Sequence, residues 1–312
     1  MASKIIIRTK TREDDEAVAA LIRDSLNVWY KRNRGFDDVV PSLEAASIYT
    51  RVYDALDPEC CFVAEDAENG KLAGSCFYHP RPTHASLGLM TVAPEYFGCK
   101  AASKLVARIA DLARQRNQPL RLVSSAMNLD SFSLYNRAGF VPTALYQDMS
   151  IPTPEGGFEP TTPPGTRLRD ASLSDVDALV ALERELCGID RAKDFRFFIE
   201  NASGIWGSSV VEENGSGAIL GAMFSVCDPG CKMVGPGFAR EEDYAYALIV
   251  RELNRYAGRW SPIVLAPCRA TTLRMRLYEL GARNTELHVA QTLGEILPQR
   301  GAIVPTFMPE SA

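Results

Sequence analysis

Sixteen residues near the middle of the chain constrain its fold more than any others. Ile151 to Thr166 reads IPTPEGGFEPTTPPGT, with Pro152, Pro154, Pro160, Pro163 and Pro164 set among three glycines. Proline fixes φ and removes an N–H donor, so neither a helix nor a central strand persists through such a run. The segment divides 312 residues almost in half, as an interdomain connection does. Residues 1–150 and 167–312 are therefore read as two domains, with 151–166 as their linker.

The halves are related. Ile6-Ile7-Arg8, Thr11 and the helical run Asp14 to Ile22 are echoed by Arg167-Leu168-Arg169, Ser172 and Asp175 to Glu183. Each is a short strand, a capping hydroxyl and an amphipathic helix with acids in its first turn. Phe62-Val63-Ala64-Glu65 with Gly74 and Phe77 is mirrored by Val210-Val211-Glu212 with Gly221 and Phe224, each a hairpin around a polar turn. Leu134-Tyr135 and Gly139 find counterparts in Leu277-Tyr278 and Gly281. Three matches in one order indicate duplication.

Composition narrows the function classes. A net charge of −5 argues against general polyanion binding, so no nucleic-acid partner is expected. The basic run Lys31-Arg32-Asn33-Arg34 reads as a solvated helix end. Eight cysteines form no CxxC pair, and only His79, His84 and His288 could join them, so no metal site is expected. Free thiols, a start (Met1-Ala2-Ser3-Lys4) without a signal-type apolar run, and no membrane-length apolar stretch point to the cytoplasm.

Within the first half, strands are expected near 4–9, 60–66, 72–79, 86–92, 120–126 and 143–150, and helices over 14–26, 43–56, 99–115 and 131–138. Ala101, Ala102, Leu105, Val106, Ile109 and Leu112 line one face of the third helix. The fold class is α/β, in the α+β sense: a mixed sheet with helices on both faces, present twice. The strand Leu89 to Val92 runs through Pro94 and Tyr96 into Phe97-Gly98-Cys99-Lys100-Ala101-Ala102, where small residues open the helix. Free N–H groups and the positive helix end converge there, which suits a pyrophosphate.

From Val92 to Pro142 the sequence resembles the cofactor-binding core of the GNAT superfamily of acetyltransferases. Pro94, Tyr96 and the loop 97–102 stand where that family has a proline, an aromatic and an Arg/Gln-Gly-x-Gly-x-Gly/Ala loop. Leu122 to Asn128, then Ser131 and Leu134-Tyr135-Asn136-Arg137-Ala138-Gly139-Phe140, match its strand ending in Asn and its Leu-Tyr-x-x-x-Gly-Phe helix. Phe97 replaces the usual Arg or Gln, and Lys100 replaces the middle Gly. The resemblance covers the first half and, more faintly, the second. It implies two tandem GNAT-like domains and an N-acyltransferase that uses acetyl-CoA or another acyl-CoA.

It also implies roles. Backbone at Met90, Thr91 and Val92 would hold pantetheine, and Phe97, Gly98, Cys99, Lys100, Ala101 and Ala102 the pyrophosphate. Lys100 either adds charge beside the phosphates or faces solvent. Asn128, with Ser131, either contacts the cofactor or caps the helix. Tyr135 is the family's general-acid tyrosine or an aromatic packed beside Leu134; a phenol with a pKa near about 10 is protonated at neutral pH. The strand Ser86 to Val92 carries no carboxylate, leaving His79 and His84 as candidate bases. The stretch Val28 to Val40, with Trp29, Tyr30 and Phe36, is the expected acceptor contact.

In the second half Glu241-Glu242-Asp243 opens the helix and repels a pyrophosphate, Thr271 stands about where Asn128 does, and Tyr278 is structural. One cofactor site, in the first half, is expected. The acceptor is a small-molecule or protein amine, no membrane partner is implied, and the chain is a monomer or a homodimer. The alternative is a noncatalytic acyl-CoA-binding or interaction protein.

Overall fold

Residues 4–297 and 299–311 are described by the computed structural model; Met1–Ser3, part of the leader reading, lie outside them. The first half runs β1 (Ile5–Thr9), α1 (Asp15–Arg34), α2 (Leu43–Leu56), β2 (Cys61–Asp66), β3 (Leu72–Pro80), β4 (Ala85–Val92), α3 (Ala101–Gln115), β5 (Leu120–Ser125), α4 (Leu129–Arg137) and β6 (Val141–Ser150). Its order is repeated by β7 (Thr166–Asp170), α5 (Val176–Cys187), α6 (Ala192–Glu200), β8 (Trp206–Glu213), β9 (Ile219–Asp228), β10 (Cys231–Ala239), α7 (Glu242–Leu253), β11 (Ile263–Pro267), α8 (Thr271–Glu279) and β12 (Arg283–Leu293). Three short strands follow without counterparts in the first half: β13 (Ala302–Val304), β14 (Thr306–Phe307) and β15 (Glu310–Ser311).

The repeat extends to individual bonds. Arg8 grips Asp14 at 2.7 and 2.9 Å and Glu65 at 2.6 Å. Arg169 grips Asp175 at 2.7 and 2.8 Å and Glu212 at 2.6 Å. Thr11 and Ser172 both close capping boxes, with Asp14 and Asp175 as the third residue. The arginine bonds hold both aspartates down at about 2.

Strand order departs from two separate sheets. It is β1-β2-β3-β4-β5-β12-β6-β11-β10-β9-β8-β7, with β13 added on β10. The last strand of each half lies beside the fifth strand of the other. β12 pairs with β5 from His288↔Ser125 to Leu293↔Leu120, and β6 pairs with β11 from Ile263↔Ser150 to Pro267↔Tyr146. β6 and β12 also pair with each other. Parting the halves would strip hydrogen bonds from the strand edges at the centre of the sheet, so neither half closes alone.

Helices cover both faces. On one, α1, α2, α5 and α6 share a core that runs across the halves through Ile22, Tyr53, Tyr146, Phe195 and Phe198. On the other, α3 and α4 pack through Leu105, Ile109 and Tyr135, and α7 and α8 through Leu248, Leu273 and Leu277. Helix α1 outruns its expected end near 26, because nothing in the sequence stops it before Gly35 at φ 68. The first part of the expected acceptor segment is therefore helical. No helix among the described residues is long and apolar enough to cross a membrane.

Candidate functional site

Strand β4 carries a bulge. Cys76 pairs with Met90 but Tyr78 with Leu87, so β4 uses one more residue than β3 over that span. An extra residue bends and twists a strand. Here β4 pairs with β5 only at Ala85↔Leu120 and Ser86↔Arg121, and the two then part. Beyond that fork no strand pairs with Leu89–Val92 on the side toward β5. Thr91 turns its hydroxyl inward to Ser75 at 3.0 Å and pairs with that residue on β3, so the backbone free toward the fork is that of its neighbours Met90 and Val92. Met90 and Val92 are half-buried.

From β4 the chain turns through Pro94–Tyr96 into α3. Tyr96 anchors the loop by donating to Asp66 at 3.0 Å. Gly98 (φ 84) and Lys100 (φ 63) both take the left-handed conformation. No side chain caps α3, so its first N–H groups remain available. Phe97, Gly98 and Lys100 are exposed, Cys99 and Ala102 half-buried, and Ala101 packs in the core with Leu105. The N–H groups of Phe97 and Cys99 are taken by the carbonyls of Pro94 and Tyr96, so the donors the loop offers are those of Gly98, Lys100, Ala101 and Ala102, beside the Lys100 side chain.

On α4, Asn128 accepts from the Ser131 N–H at 3.1 Å, so the capping role is realised. Its amide nitrogen has no partner among the described residues. Tyr135 is buried with its ring edge-on to Phe140 at 5.7 Å. Its hydroxyl likewise has no hydrogen-bond partner among the described residues. Burial, aided by Cys76 and Glu310, pushes the phenol well above its ordinary range, so it stays protonated.

Residues 24–140 fit the sequence model of the acetyltransferase (GNAT) family. At full length the fold resembles a tandem GNAT protein from the clavulanic acid biosynthesis pathway, with TM-score 0.61, 15% identity and 93% and 98% of the two chains covered. The fold is that of a tandem GNAT protein. This likeness and two further ones are of fold alone. A protein from Pyrococcus horikoshii shares TM-score 0.71, 14% identity and 98% and 96% coverage. A GCN5-related N-acetyltransferase from Sphaerobacter thermophilus shares 0.65, 18%, and 95% and 96%. No curated protein matches the sequence.

The second half carries the same bulge, between Val234 and Gly237, but its fork is filled. β10 pairs with β11 only at Met233 and Val234, and β13 then takes the free edge at Gly237, Phe238 and Ala239. Those residues stand where Met90, Thr91 and Val92 stand in the first half, since Gly221 faces Ala239 as Gly74 faces Val92. Only Arg240 and Glu241 separate β10 from α7, against eight residues between β4 and α3. Glu242 accepts from the Leu273 N–H at 2.7 Å, so one of the three acids ties α7 to α8.

One sequence match shifts by a residue. The N–H groups of Phe140 and Ala282 return to Tyr135 and Leu277, and those of Gly139 and Gly281 to Asn136 and Tyr278. Leu277, not Tyr278, therefore occupies the place of Tyr135. Tyr278 is 38% exposed and accepts from Gln147. Likewise Ala270, not Thr271, stands at the start of α8 where Asn128 starts α4.

Polar groups that sequence reasoning did not single out line the opposite face of the fork. Tyr30 donates to Glu286 at 2.8 Å and Ser125 donates to its other oxygen. His288 meets Asp148 at 2.7 Å. Ligand-capable atoms of Asp148, Glu286 and His288 lie within 4.8 Å of one another, yet each residue already has a protein partner. Burial raises Asp148, against the lowering effect of His288. Tyr30 thus brings the expected acceptor segment 28–40 to this cluster.

The two candidate histidines separate. His84 lies at the closed end of the fork, buried, where burial and Arg121, Arg191 and Arg81 push its pKa well below the ordinary value. It is neutral and stands beside the two β4–β5 pairs, away from the bulge. His79 is equally buried, but both its nitrogens are engaged: Nδ1 with Asp57 at 2.8 Å and Nε2 with Glu310 at 3.2 Å. Burial opposes its charge, but the two carboxylates outweigh burial and raise its pKa. The geometry makes His79 a positioning group, because neither nitrogen is free to take a proton.

Proposed function

We propose that this tandem GNAT protein is an acyl-CoA-dependent N-acyltransferase, with acetyl-CoA as donor, whose working site is the fork of residues 1–150. The observation that carries the reading is the unpaired β4 edge at Leu89–Val92, set beside the filled edge of β10. A bound acyl-CoA supplies the thioester whose acyl group is transferred. Backbone at Met90 to Val92 supports the pantetheine as a strand would, and an N–H near Val92 polarises the thioester carbonyl. Along the loop Phe97 to Ala102, the N–H groups of Gly98, Lys100, Ala101 and Ala102, with the Lys100 side chain, receive the pyrophosphate at the start of α3, while those of Phe97 and Cys99 hold the turn. Asn128 and Ser131 flank it from α4. Tyr135 gives its proton to the departing sulfur.

The acceptor is an amine of a small molecule or a protein, reached across the face where Tyr30 and Glu286 lie. In this reading 167–312 completes the sheet and binds no second acyl-CoA, and the chain works in the cytoplasm. Calorimetry is expected to give one acetyl-CoA per chain, and thiol release with an amine panel to reveal the acceptor. Two equivalent sites, or a ligand bound only beside Ala239, would overturn the assignment.

Ala102→Glu separates binding from folding. A carboxylate in the first turn of α3 suits the helix dipole, so stability should hold or rise slightly. The same charge faces the pyrophosphate and should weaken acetyl-CoA binding about 10- to 100-fold, as expected of close like charges in a partly screened site. Parent-like affinity in a folded variant would move the pyrophosphate elsewhere.

A further inference from the structure

We infer that Glu310, on the carboxy-terminal hairpin β14–β15 of the second half, is the general base that serves the fork of the first half. The inference rests on the transferase reading above and supplies the group that β4 lacks.

Gly88 lies in the bulged stretch of β4. A Cβ built there would stand 2.9 Å from His79 Nε2, 3.1 Å from Glu310 Oε2 and 3.1 Å from Phe77 Cβ. No side chain of β4 can therefore fill that place, and a carboxylate from the other end of the chain fills it. Glu310 Oε2 accepts from the Tyr53 hydroxyl at 2.9 Å and meets His79 Nε2 at 3.2 Å. Asp57 holds the far side of His79, and Arg81 holds Asp57 through two bonds of 2.9 Å. The Tyr53 hydroxyl also lies 2.8 Å from the Phe307 carbonyl, so its one proton is shared between Glu310 and the backbone of the hairpin. All this bonding falls on Oε2. Oε1 has no hydrogen-bond partner among the described residues.

Placement relative to the acid is what the reaction needs. Tyr53 and Phe77 belong to the core under α1 and α2, whereas Tyr135 belongs to the core under α3 and α4. Glu310 and Tyr135 thus approach the fork from opposite faces of the sheet, near enough for the carboxylate charge to act on the phenol. An acceptor ammonium gives one proton to Oε1, which passes it to solvent. The freed lone pair forms the N–C bond as the C–S bond breaks. The nitrogen then loses a second proton to Oε1 while Tyr135 protonates the sulfur, and the proton on Glu310 restores Tyr135 through solvent. Overall, amide, thiol and one released proton are formed.

Glu310→Gln keeps the side-chain length and an oxygen for Tyr53. Acetyl-CoA affinity should stay near the parent value. Turnover of a strongly basic alkylamine should fall about 10²-fold or more, in the range of general-base catalysis. An arylamine, already neutral at pH 7, should lose less than about tenfold, a contrast that mere loosening of the fold would not produce. Equal losses on both amines, or none, would overturn the inference. Gly88→Ala provides a second route should Glu310→Gln fold poorly, since its Cβ displaces the carboxylate without removing it. The same alkylamine-selective loss is expected, and parent-like turnover would count against Glu310. A parent chain that binds acetyl-CoA yet acylates no amine ends the transferase reading and this inference together. An active parent whose Gln variant loses nothing ends this inference alone.

Discussion

Replacing Tyr135 with phenylalanine should lower turnover by about 10²-fold or more while leaving acetyl-CoA affinity nearly unchanged. The ring is buried against Phe140, and that packing survives the substitution. Its hydroxyl makes no hydrogen bond to the described protein, so removing it leaves no buried partner unsatisfied. Folding stability should accordingly stay close to that of the parent. The loss then falls on the step in which sulfur takes a proton. Single-turnover rates, measured where chemistry limits, give the cleanest test. A thiolate already stabilised by the start of α3 needs less help, which sets the lower end of the effect. Unchanged turnover would remove Tyr135 from the catalytic set. The second half offers a natural comparison, since Leu277 stands in the same position beside a filled fork.

What the sequence disclosed, and what it hid, follows from how local each feature is. In the Arg8–Asp14 and Arg169–Asp175 units the partners stand six positions apart, so their repetition is legible as a string. The loop at Gly98 and the helix of Tyr135 are similarly compact. Strand exchange is not local. The stretch near 143–150 reads as a strand, but a strand pattern does not say which edge it will join, and β6 and β12 each join the other half. The Tyr278 match failed by one position because two adjacent large residues, Leu277 and Tyr278, offer two alignments, and only burial chooses between them. Glu310 lies 231 residues from His79, and nothing around it in sequence signals a partner. Gly88 was a visible clue, a glycine inside a strand, but its reason appears only once the hairpin is placed.

Arg81→Met should destabilise the chain by about 3–5 kcal/mol, the usual cost of removing one partner from a buried ion cluster. Arg81 is 3% exposed and lies between Asp57 of the first half and Asp194 of the second, which are 1% and 0% exposed. Methionine fills much of the volume but strands both carboxylates. Asp57 retains His79 and the half-exposed Lys193, whereas Arg81 is the one partner described for Asp194. Because β6 and β12 interlock the halves, urea unfolding should remain a single transition, with all probes shifting together. Acid should shrink the effect. Burial alone would raise Asp57, but His79 and Arg81 outweigh it and hold the carboxyl well below its ordinary range. A depressed pKa gives stability that is complete above the unfolded value near about 3.9 and is lost as pH falls through the lower folded value. Without Arg81 that depression shrinks, so the variant should lose less stability than the parent as pH falls through this window, and the difference between them should narrow. Adding Asp194→Leu removes the stranded charge and should recover part of the loss, because the two sites are in contact and their effects do not add. A single variant within about 1 kcal/mol of the parent at neutral pH would show that the cluster contributes little to joining the halves.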